Sequence, residues 1–358
     1  MSGLVSRIRA RLSRALHGAP PPAPGVTAPP EPQPATYAER IAREHAIFDG
    51  KTNVHDLPAI FHYWSNRHLL PMEQAFGFDH PYAFIAQALE RVARRAGGTP
   101  RFVSLGSGNC EAEIDVALRL RALGVHEFTI DCLDLSEPML ARGRALAAQH
   151  GLESHIATEA ADFNRWSPRR EYDAVVANQS LHHVLELERL FDTIARLLPP
   201  HGAFVTSDMI GRNGHQRWPE ARAVLDEFWR ELPESHRYNL QLQRQETEFM
   251  DWDCSTEGFE GIRAQDILPL CVDRFGFELF LPFANVIDPF IDRSFGHHFD
   301  ADGAWDRDFI DRVHARDEAE ILAGRITPTH MMAVMTNDRG AEPRIRAHLT
   351  PEYCIRRP

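Results

Sequence analysis

The sequence predicts an α/β fold: a doubly wound, mostly parallel sheet of seven strands, with a helical cap before it and a lid insertion after the fifth strand. Three observations carry this expectation. Short apolar runs alternate with amphipathic stretches from Arg101 to Asp208. The runs are apolar throughout rather than every second residue, as parallel strands covered by helices on both faces must be. After a polar and aromatic interval the alternation resumes with a helix and two more strands. Right-handed crossovers between parallel strands then fix the winding.

The elements follow in chain order. In residues 1–36, Leu4, Val5, Ile8, Leu12 and Leu16 share one helical face, with Arg7, Arg11 and Arg14 opposite. Such a basic amphipathic helix can lie on an anionic membrane surface through residues 1–20; it also has the composition of a transit peptide, and a tail without function fits equally. APPPAPGVTAPPEPQPA is an extended linker. Residues 37–100 read as a helical cap, and its stretch FHYWSNRHLLPMEQAFGF suits an aromatic core or a pocket lining.

Residues 101–210 form the core. RFVSLG is the first strand, Glu111–Leu123 the first helix, EFTIDCLDL the second strand and Glu137–His150 the second helix. HIATEAAD, YDAVVANQ and GAFVTSDM add three strands, with a helix over Leu187–Leu198. Residues 211–261 are the lid insertion, with a helix at Pro219–Glu231. Residues 262–336 complete the sheet through RAQDILPLCVDRFG (helix), FELFLPF and THMMAVM (strands), with a substrate-side insertion between them. Residues 337–358 are left as a tail. Insertions at the carboxyl side of such a sheet usually cover its ligand.

Composition narrows the function. The 358 residues carry 39 basic and 51 acidic side chains, a net charge of −12, which argues against general nucleic-acid binding. Lys51 is the one lysine and has no glycine loop before it, so a P-loop is excluded. Cys110, Cys132, Cys254, Cys271 and Cys354 are odd in number and contain no CxxC pair, which points to a reducing cytoplasm rather than a disulfide or zinc framework. No apolar run approaches the roughly 20 residues that span a bilayer.

Ligands of open α/β sheets sit beyond the carboxyl ends of the strands. The first strand runs into Leu105-Gly106-Ser107-Gly108-Asn109-Cys110-Glu111, where two glycines let the backbone turn tightly against a ligand. The second ends in Asp134-Leu135-Ser136-Glu137-Pro138-Met139. A carboxylate at that place can accept hydrogen bonds from both hydroxyls of a ribose; its alternative, a helix cap, is better served by Ser136.

In these motifs, over about Arg101 to Asp208, the sequence resembles the class I S-adenosylmethionine-dependent methyltransferases, in particular the group containing the ubiquinone and menaquinone C-methyltransferases. The resemblance implies a Rossmann-like core with S-adenosylmethionine as cofactor. VSLGSGNCE resembles the glycine loop, with Gly106, Ser107 and Gly108 under the methionine part. LDLSEPML resembles the acidic-loop motif, which makes Asp134 the ribose carboxylate, with Leu135 beside it and Met139 packing on adenine. Ala161-Asp162-Phe163 resembles the loop whose Asp162 takes the adenine amino group. YDAVVANQSLHHV and LLPPHGAFVTSD resemble the fourth-strand motif, with Asn178 and Gln179 at the site, and the strand after it.

The chain departs from the pattern twice. Ser104 stands where the family has an acid, and Cys110 where it has a third glycine. Glu111 or Glu113 can replace the missing acid toward the methionine ammonium, and Glu111 is the expected one. A nicotinamide dehydrogenase would need glycine in place of Glu111, where a carboxylate would repel a pyrophosphate. The ammonium and sulfonium of S-adenosylmethionine welcome it instead.

Methyl transfer is an in-line displacement for which alignment alone can lower the barrier by about 7–11 kcal/mol. A base is needed only where the acceptor loses a proton. His182 and His183 are the candidates, since imidazole titrates near neutrality; equally they merely open a helix. Further candidates are His62, Tyr63, Trp64, Asn66 and His68 before the sheet, and His297, His298 and His330 after it. A metal is not expected, because the histidine spacings are irregular and no set of carboxylates accompanies them. The stretch from DPFIDRSFGHHFD to GRITPTHMMAVM is similar to bacterial methyltransferases of surface-polysaccharide pathways. With the basic amphipathic N-terminus, that similarity implies a small-molecule, glycan or lipid-linked acceptor, met at the inner membrane face. A non-catalytic cofactor-binding scaffold and a nicotinamide oxidoreductase stand as alternatives.

Overall fold

The computed structural model describes residues 35–51, 56–256, 258–340 and 342–356. The basic amphipathic stretch and nearly all of the proline-rich linker lie outside the described residues. Among the described residues no helix is long and apolar enough to cross a membrane.

Thr36 opens α1 (Tyr37–Phe48) through a capping box: its hydroxyl accepts from the Glu39 N–H, and the Glu39 carboxylate accepts from the Thr36 N–H at 2.8 Å. α2 (Ala59–Trp64) runs through a π turn at Ser65–Leu69 into α3 (Leu70–Ala75). Pro71 explains the loosened turn, because it lacks the N–H that would bond the Arg67 carbonyl and its ring crowds that carbonyl. α4 (Pro81–Arg95) buries Phe84, Ile85, Ala88, Leu89 and Val92 on one face and leads to the sheet.

The core then alternates: β1 (Arg101–Leu105), α5 (Glu111–Ala122), β2 (Thr129–Asp134), α6 (Glu137–Gln149), β3 (Ile156–Ala160), β4 (Ala174–Asn178), α7 (Leu187–Leu197) and β5 (Ala203–Met209). The insertion holds α8 (Pro219–Glu231) and a short hairpin of β6 (Tyr238–Asn239) and β7 (Arg244–Gln245). After it come α9 (Ala264–Arg274), β8 (Gly276–Phe283), α10 (Asp288–Ile291), α11 (Ala304–Leu322), β9 (His330–Thr336) and β10 (Arg344–Ile345).

Across the sheet the order is β10-β8-β9-β5-β4-β1-β2-β3. Only β9 among these strands runs antiparallel, between β5 and β8. The strand count differs from the expected seven. The C-terminal stretch read as a tail supplies an eighth strand, β10, parallel to β8, and buries Leu349 and Cys354. Two residues of strand are too short for an alternating pattern to show in sequence. The 19-residue helix α11 also went unread, because its apolar positions hardly segregate to one face.

The central strands are buried on both faces, whereas the edge strand β3 exposes three of its five residues. Phe191 on α7, Phe204 on β5 and Phe275 after α9 pack with ring centroids 5.5–6.1 Å apart. Each buried phenylalanine contributes about 1.5–3 kcal/mol, and the trio holds the helices at the back of the site. The chain leaves β1 toward β2 and β3, then returns to β4 on the other side. That reversal opens a crevice at the carboxyl ends of β1 and β4.

Candidate active site

The crevice floor is the turn after β1. Gly106 and Ser107 donate their N–H groups to the Leu133 carbonyl at 2.8 and 3.0 Å, tying the turn to β2. Gly106 sits at φ +74, and a Cβ there would stand 2.5 Å from the Ser180 Cβ. The Ser180 hydroxyl in turn donates to the Leu105 carbonyl at 2.7 Å. The ends of β1 and β4 therefore meet at a position only glycine fits. Met139 reaches to within 3.1 Å of a Cβ on Gly108, and the buried ring of Phe163 lies against Gly106.

Cys110 takes the left-handed conformation, φ 58, that the family's third glycine would take. Its side chain is accommodated across the turn by Gly143 of α6. A Cβ on Gly143 would lie 2.6 Å from the Cys110 sulfur and 3.1 Å from the Asn109 carbonyl. A glycine missing from the loop is matched by one inside a helix, where glycine otherwise costs about 1 kcal/mol.

Asp134 stands at the rim. Its carboxylate accepts from the Gly108 N–H and from the Ser136 N–H, both at 2.8 Å. Burial outweighs those two hydrogen bonds and raises its pKa above the ordinary carboxylate value. Ser136, not Asp134, caps α6 through the Met139 N–H, as its place in the sequence suggested. Leu135 is half-buried next to it.

The departure at Ser104 has a structural answer. The Ser104 hydroxyl donates to Glu113 Oε1 at 2.6 Å, while Glu113 Oε2 is buried without a hydrogen-bond partner. Burial pushes Glu113 up to about 7 against the pull of the Ser104 hydrogen bond, with Asp134 and Glu111 adding repulsion. The acid absent from β1 thus arrives from the second position after Glu111 on α5. Glu111 itself opens that helix, half-buried.

α1 lies over the crevice. Tyr37 donates to Asp162 at 2.5 Å, Glu44 accepts from the Phe259 N–H at 2.9 Å, and Asp49, just past the helix, accepts from the Ser136 hydroxyl at 2.6 Å. Asp162 also accepts from the Asn164 N–H at 3.0 Å, so its carboxylate is shared between the cover helix and its own turn. Asn178 is half-buried at the end of β4, whereas Gln179 is exposed with a left-handed backbone, φ 53, its N–H donated to the Ser207 carbonyl.

The histidines after β4 form a cluster. His182 shares a 2.6 Å hydrogen bond from Nδ1 with Asp208 at the end of β5. Asp208 is fully buried and also accepts from the Ser180, Leu181 and Met209 N–H groups. On its other side His182 Nε2 lies 3.4 Å from Glu260 Oε1, and His215 Nε2 lies 2.6 Å from the same oxygen. His183 Nε2 lies 3.4 Å from Glu260 Oε2, and its Nδ1 3.7 Å from Glu44.

Charge is distributed unevenly here. Burial opposes a charged ring at His182, but Asp208 and Glu260 outweigh it and push its pKa up to about 10. Burial wins at His183, whose pKa falls to about 4. Burial also works against the Glu260 carboxylate, yet the surrounding imidazoles hold it well below the usual range. Glu44 moves up, chiefly through burial. Near neutral pH ionised Asp208 and Glu260 thus flank the His182 imidazolium, with His183 uncharged.

Sequence reasoning placed His182 and His183 here but missed Asp208, His215, Glu260, Glu44 and Tyr37. Asp208 left a trace, as an acid ending an otherwise apolar strand. His215 and Glu260 left none, since the insertion brings them in from positions with no local pattern. Carboxylates that do not accompany the histidines in sequence are brought beside them by the fold, Glu260 reaching both His182 and His215. The other candidates assemble elsewhere. Tyr63, Arg67 and His68 all bond Asp311 of α11, and Trp64 donates to His314. His298 pairs with the Tyr238 carbonyl and His330 with Asp288, while His62, Asn66 and His297 are exposed. A cavity of about 370 Å³ lined by Phe76, Phe84, Arg91, Glu278 and Arg344 lies at the β10 edge of the sheet.

The crevice fits a ligand with a ribose and a cationic end: a glycine cradle, a rim carboxylate, and a buried acid with one oxygen left unpartnered. Residues 102–202 match a family described as a methyltransferase domain. No curated protein matches the chain. Among solved structures it is similar to the O-methyltransferase of a trans-AT PKS multienzyme of Brevibacillus brevis in complex with S-adenosyl-L-homocysteine, at 12% identity over 85% of each chain with a TM-score of 0.44. It is also similar to a geranyl diphosphate methyltransferase in complex with GPP and sinefungin, at 12% identity over 70% of this chain and 76% of that one, with a TM-score of 0.39. The fold and the matched segment define a class I methyltransferase domain. The match covers residues 102–202 and does not single out the quinone C-methyltransferase group.

Proposed function

We propose that the chain methylates an oxygen of a small-molecule, glycan or lipid-linked acceptor, and that the acceptor meets its donor between the glycine loop and the His182–Glu260 cluster. The observation that carries this reading is the partly exposed, ionised carboxylate of Glu260 held among three imidazoles beside the ends of β4 and β5. A hydroxyl must lose its proton as it is methylated, and a positioned base speeds such a step by roughly 10²–10⁴-fold. A thioether or neutral amine acceptor does not need one before attack, and a thiol ionises far more readily than an alcohol.

When bound, S-adenosylmethionine supplies a methyl already activated by its sulfonium. The residues align and protect it. Asp134 would receive the ribose hydroxyls, Gly106, Ser107 and Gly108 would cradle the methionine part, and Glu113 would meet its ammonium. Leu135, Met139, Asp162 and Phe163 would surround the adenine, and Asn178 and Gln179 would border the acceptor side. Glu260 takes the acceptor's proton as the oxygen's electron pair forms the new bond to the methyl carbon and the carbon–sulfur bond breaks, its electron pair leaving with S-adenosyl-L-homocysteine. His182, fixed by Asp208, keeps Glu260 oriented, and His183 lies on its other oxygen. The net charge of −12 favours an uncharged or cationic acceptor over nucleic acid.

The test is release of S-adenosyl-L-homocysteine on incubation with panels of alcohols, sugars, phenols, thiols and amines. Turnover confined to hydroxyl acceptors, and lost in Glu260→Gln, supports the reading. Turnover on amines or thiols that survives that substitution overturns it.

A further inference from the structure

We propose that His182, His215 and Glu260 form the binding site of one divalent transition-metal ion, ligated by two imidazole nitrogens and a carboxylate. The inference rests on the reading above for where the acceptor lies, and adds what meets its oxygen.

Two nitrogens and a carboxylate oxygen converge. His182 Nε2 and His215 Nε2 lie 3.4 and 2.6 Å from Glu260 Oε1, and the three donor atoms all fall within 4.8 Å of one another. Around an ion with bonds of about 2.0–2.2 Å, neighbouring donors stand roughly 3–3.5 Å apart, so entry of the ion needs only a small outward shift of Glu260 or His215. All three come from different segments: the turn after β4, the turn at Asn213–His215, and the residues before α9.

The surroundings are those of a ligand shell. A metal-bound imidazole almost always donates its other N–H to a carboxylate, which fixes the ring and raises its basicity. Asp208 does this at 2.6 Å for His182 and is itself immobilised by three backbone N–H groups. Glu260 Oε2, left over after Oε1 is used, has His183 Nε2 at 3.4 Å. A plain hydrogen-bonded cluster would need only one histidine on Glu260; three are gathered.

The backbone is bent to do so. His215 is held at φ 55 next to Gly214 at φ 66, and Gly214 donates its N–H to the Gly261 carbonyl at 2.9 Å. A Cβ on Gly261 would come within 3.2 Å of the His215 ring, so this glycine lets the ring reach Glu260. Left-handed backbone at a residue that has a Cβ costs of order 1–3 kcal/mol and persists where the surroundings demand it. The turn carrying Ile262 is tied back by its N–H to the His182 carbonyl at 3.1 Å.

Two imidazoles and one carboxylate suit zinc, iron(II), cobalt(II), nickel(II) or manganese(II) better than calcium or magnesium, which take oxygen ligands. Three protein ligands leave positions open, and an acceptor's hydroxyl or carboxylate oxygen fits one of them.

The experiment uses the full chain without an affinity tag, treated with a chelator, dialysed and saturated with S-adenosyl-L-homocysteine. Cobalt(II) is titrated and followed by its visible absorption, and zinc(II) is measured by competition and by elemental analysis. Uptake of one ion per chain, with His or carboxylate cobalt bands, is expected. Glu260→Gln and His215→Ala should abolish it while S-adenosyl-L-homocysteine still binds within about threefold, and Asp208→Asn should weaken it 10–100-fold. No uptake by the wild type, or unchanged uptake in Glu260→Gln, overturns the inference. Methyl transfer to hydroxyls by protein shown to be metal-free would also remove it while leaving the proposed function standing; metal uptake without any hydroxyl methylation would do the reverse.

Discussion

Replacing Glu113 with glutamine isolates the acid that this chain uses in place of one on β1. Glu113 is buried, accepts from Ser104 through one oxygen, and keeps the other without a partner. Burial lifts it from the ordinary 4.5 to about 7. The sign follows directly. Between those values the folded chain holds a proton that the unfolded chain has released, so stability without cofactor falls as pH rises through this window. A gap of about 2.5 pH units at 1.36 kcal/mol each amounts to about 3 kcal/mol. Glutamine cannot ionise, so the variant loses that slope. Near pH 5, where the same cost of burying an amide outweighs the small ionisation term, the variant should be the less stable by up to about 1 kcal/mol. Near pH 8 the variant should be the more stable by about 1–2 kcal/mol, once roughly 1–2 kcal/mol is subtracted for burying an amide with imperfect partners. Cofactor binding should move the opposite way. A hydrogen bond to a charged group contributes about 1.5–3 kcal/mol, so the affinity for S-adenosyl-L-homocysteine should fall roughly 10–100-fold. Urea unfolding between about pH 5 and pH 8, with calorimetric titration near pH 8, reads both effects. A variant that keeps the wild-type slope, or binds the product as tightly as the wild type, refutes the reasoning.

Other substitutions probe the rest of the crevice. Gly143→Ala should destabilise the chain by about 1–3 kcal/mol through its clash with the Cys110 sulfur. The same change made in a Cys110→Gly background should be neutral or stabilising in urea unfolding, since alanine is the better helix former; equal costs in both backgrounds would break the link. Tyr37→Phe removes the bond to Asp162 and should weaken S-adenosyl-L-homocysteine binding by about 0.5–1.5 kcal/mol in calorimetry, with the change seen mainly as faster release. Asp208→Asn should leave that affinity within about threefold but lower kcat on an identified hydroxyl acceptor by roughly 10²-fold or more. A loss that appears in cofactor affinity alone would place Asp208 in the scaffold.

Much of the core was legible because its physics is local. A buried parallel strand has to be largely apolar, and Phe102 to Leu105, Ala174 to Ala177 and Ala203 to Ser207 are buried along their length in the folded chain, with Ser104, Thr206 and Ser207 the polar exceptions. Gly106 was readable as a close approach before Ser180 was known to be what approaches it. The acceptor side was not legible for the opposite reason. His215 and Glu260 reach His182 only because an insertion folds back on a pair of left-handed residues, and no periodicity records that. Glu113 fell between the two cases. The missing acid at Ser104 was evident, but the choice between Glu111 and Glu113 depends on which side chain points down to the sheet. α5 turns Glu113 inward and leaves Glu111 at its mouth.

Calorimetric titration of S-adenosyl-L-homocysteine into the full chain and into Asp134→Asn tests the cradle most directly. One molecule bound per wild-type chain, with affinity reduced roughly tenfold or more when the rim carboxylate loses its charge, is the outcome expected of a cradle built from Gly106, Gly108 and Asp134. No heat from the wild type, or identical isotherms for the two proteins, would contradict it.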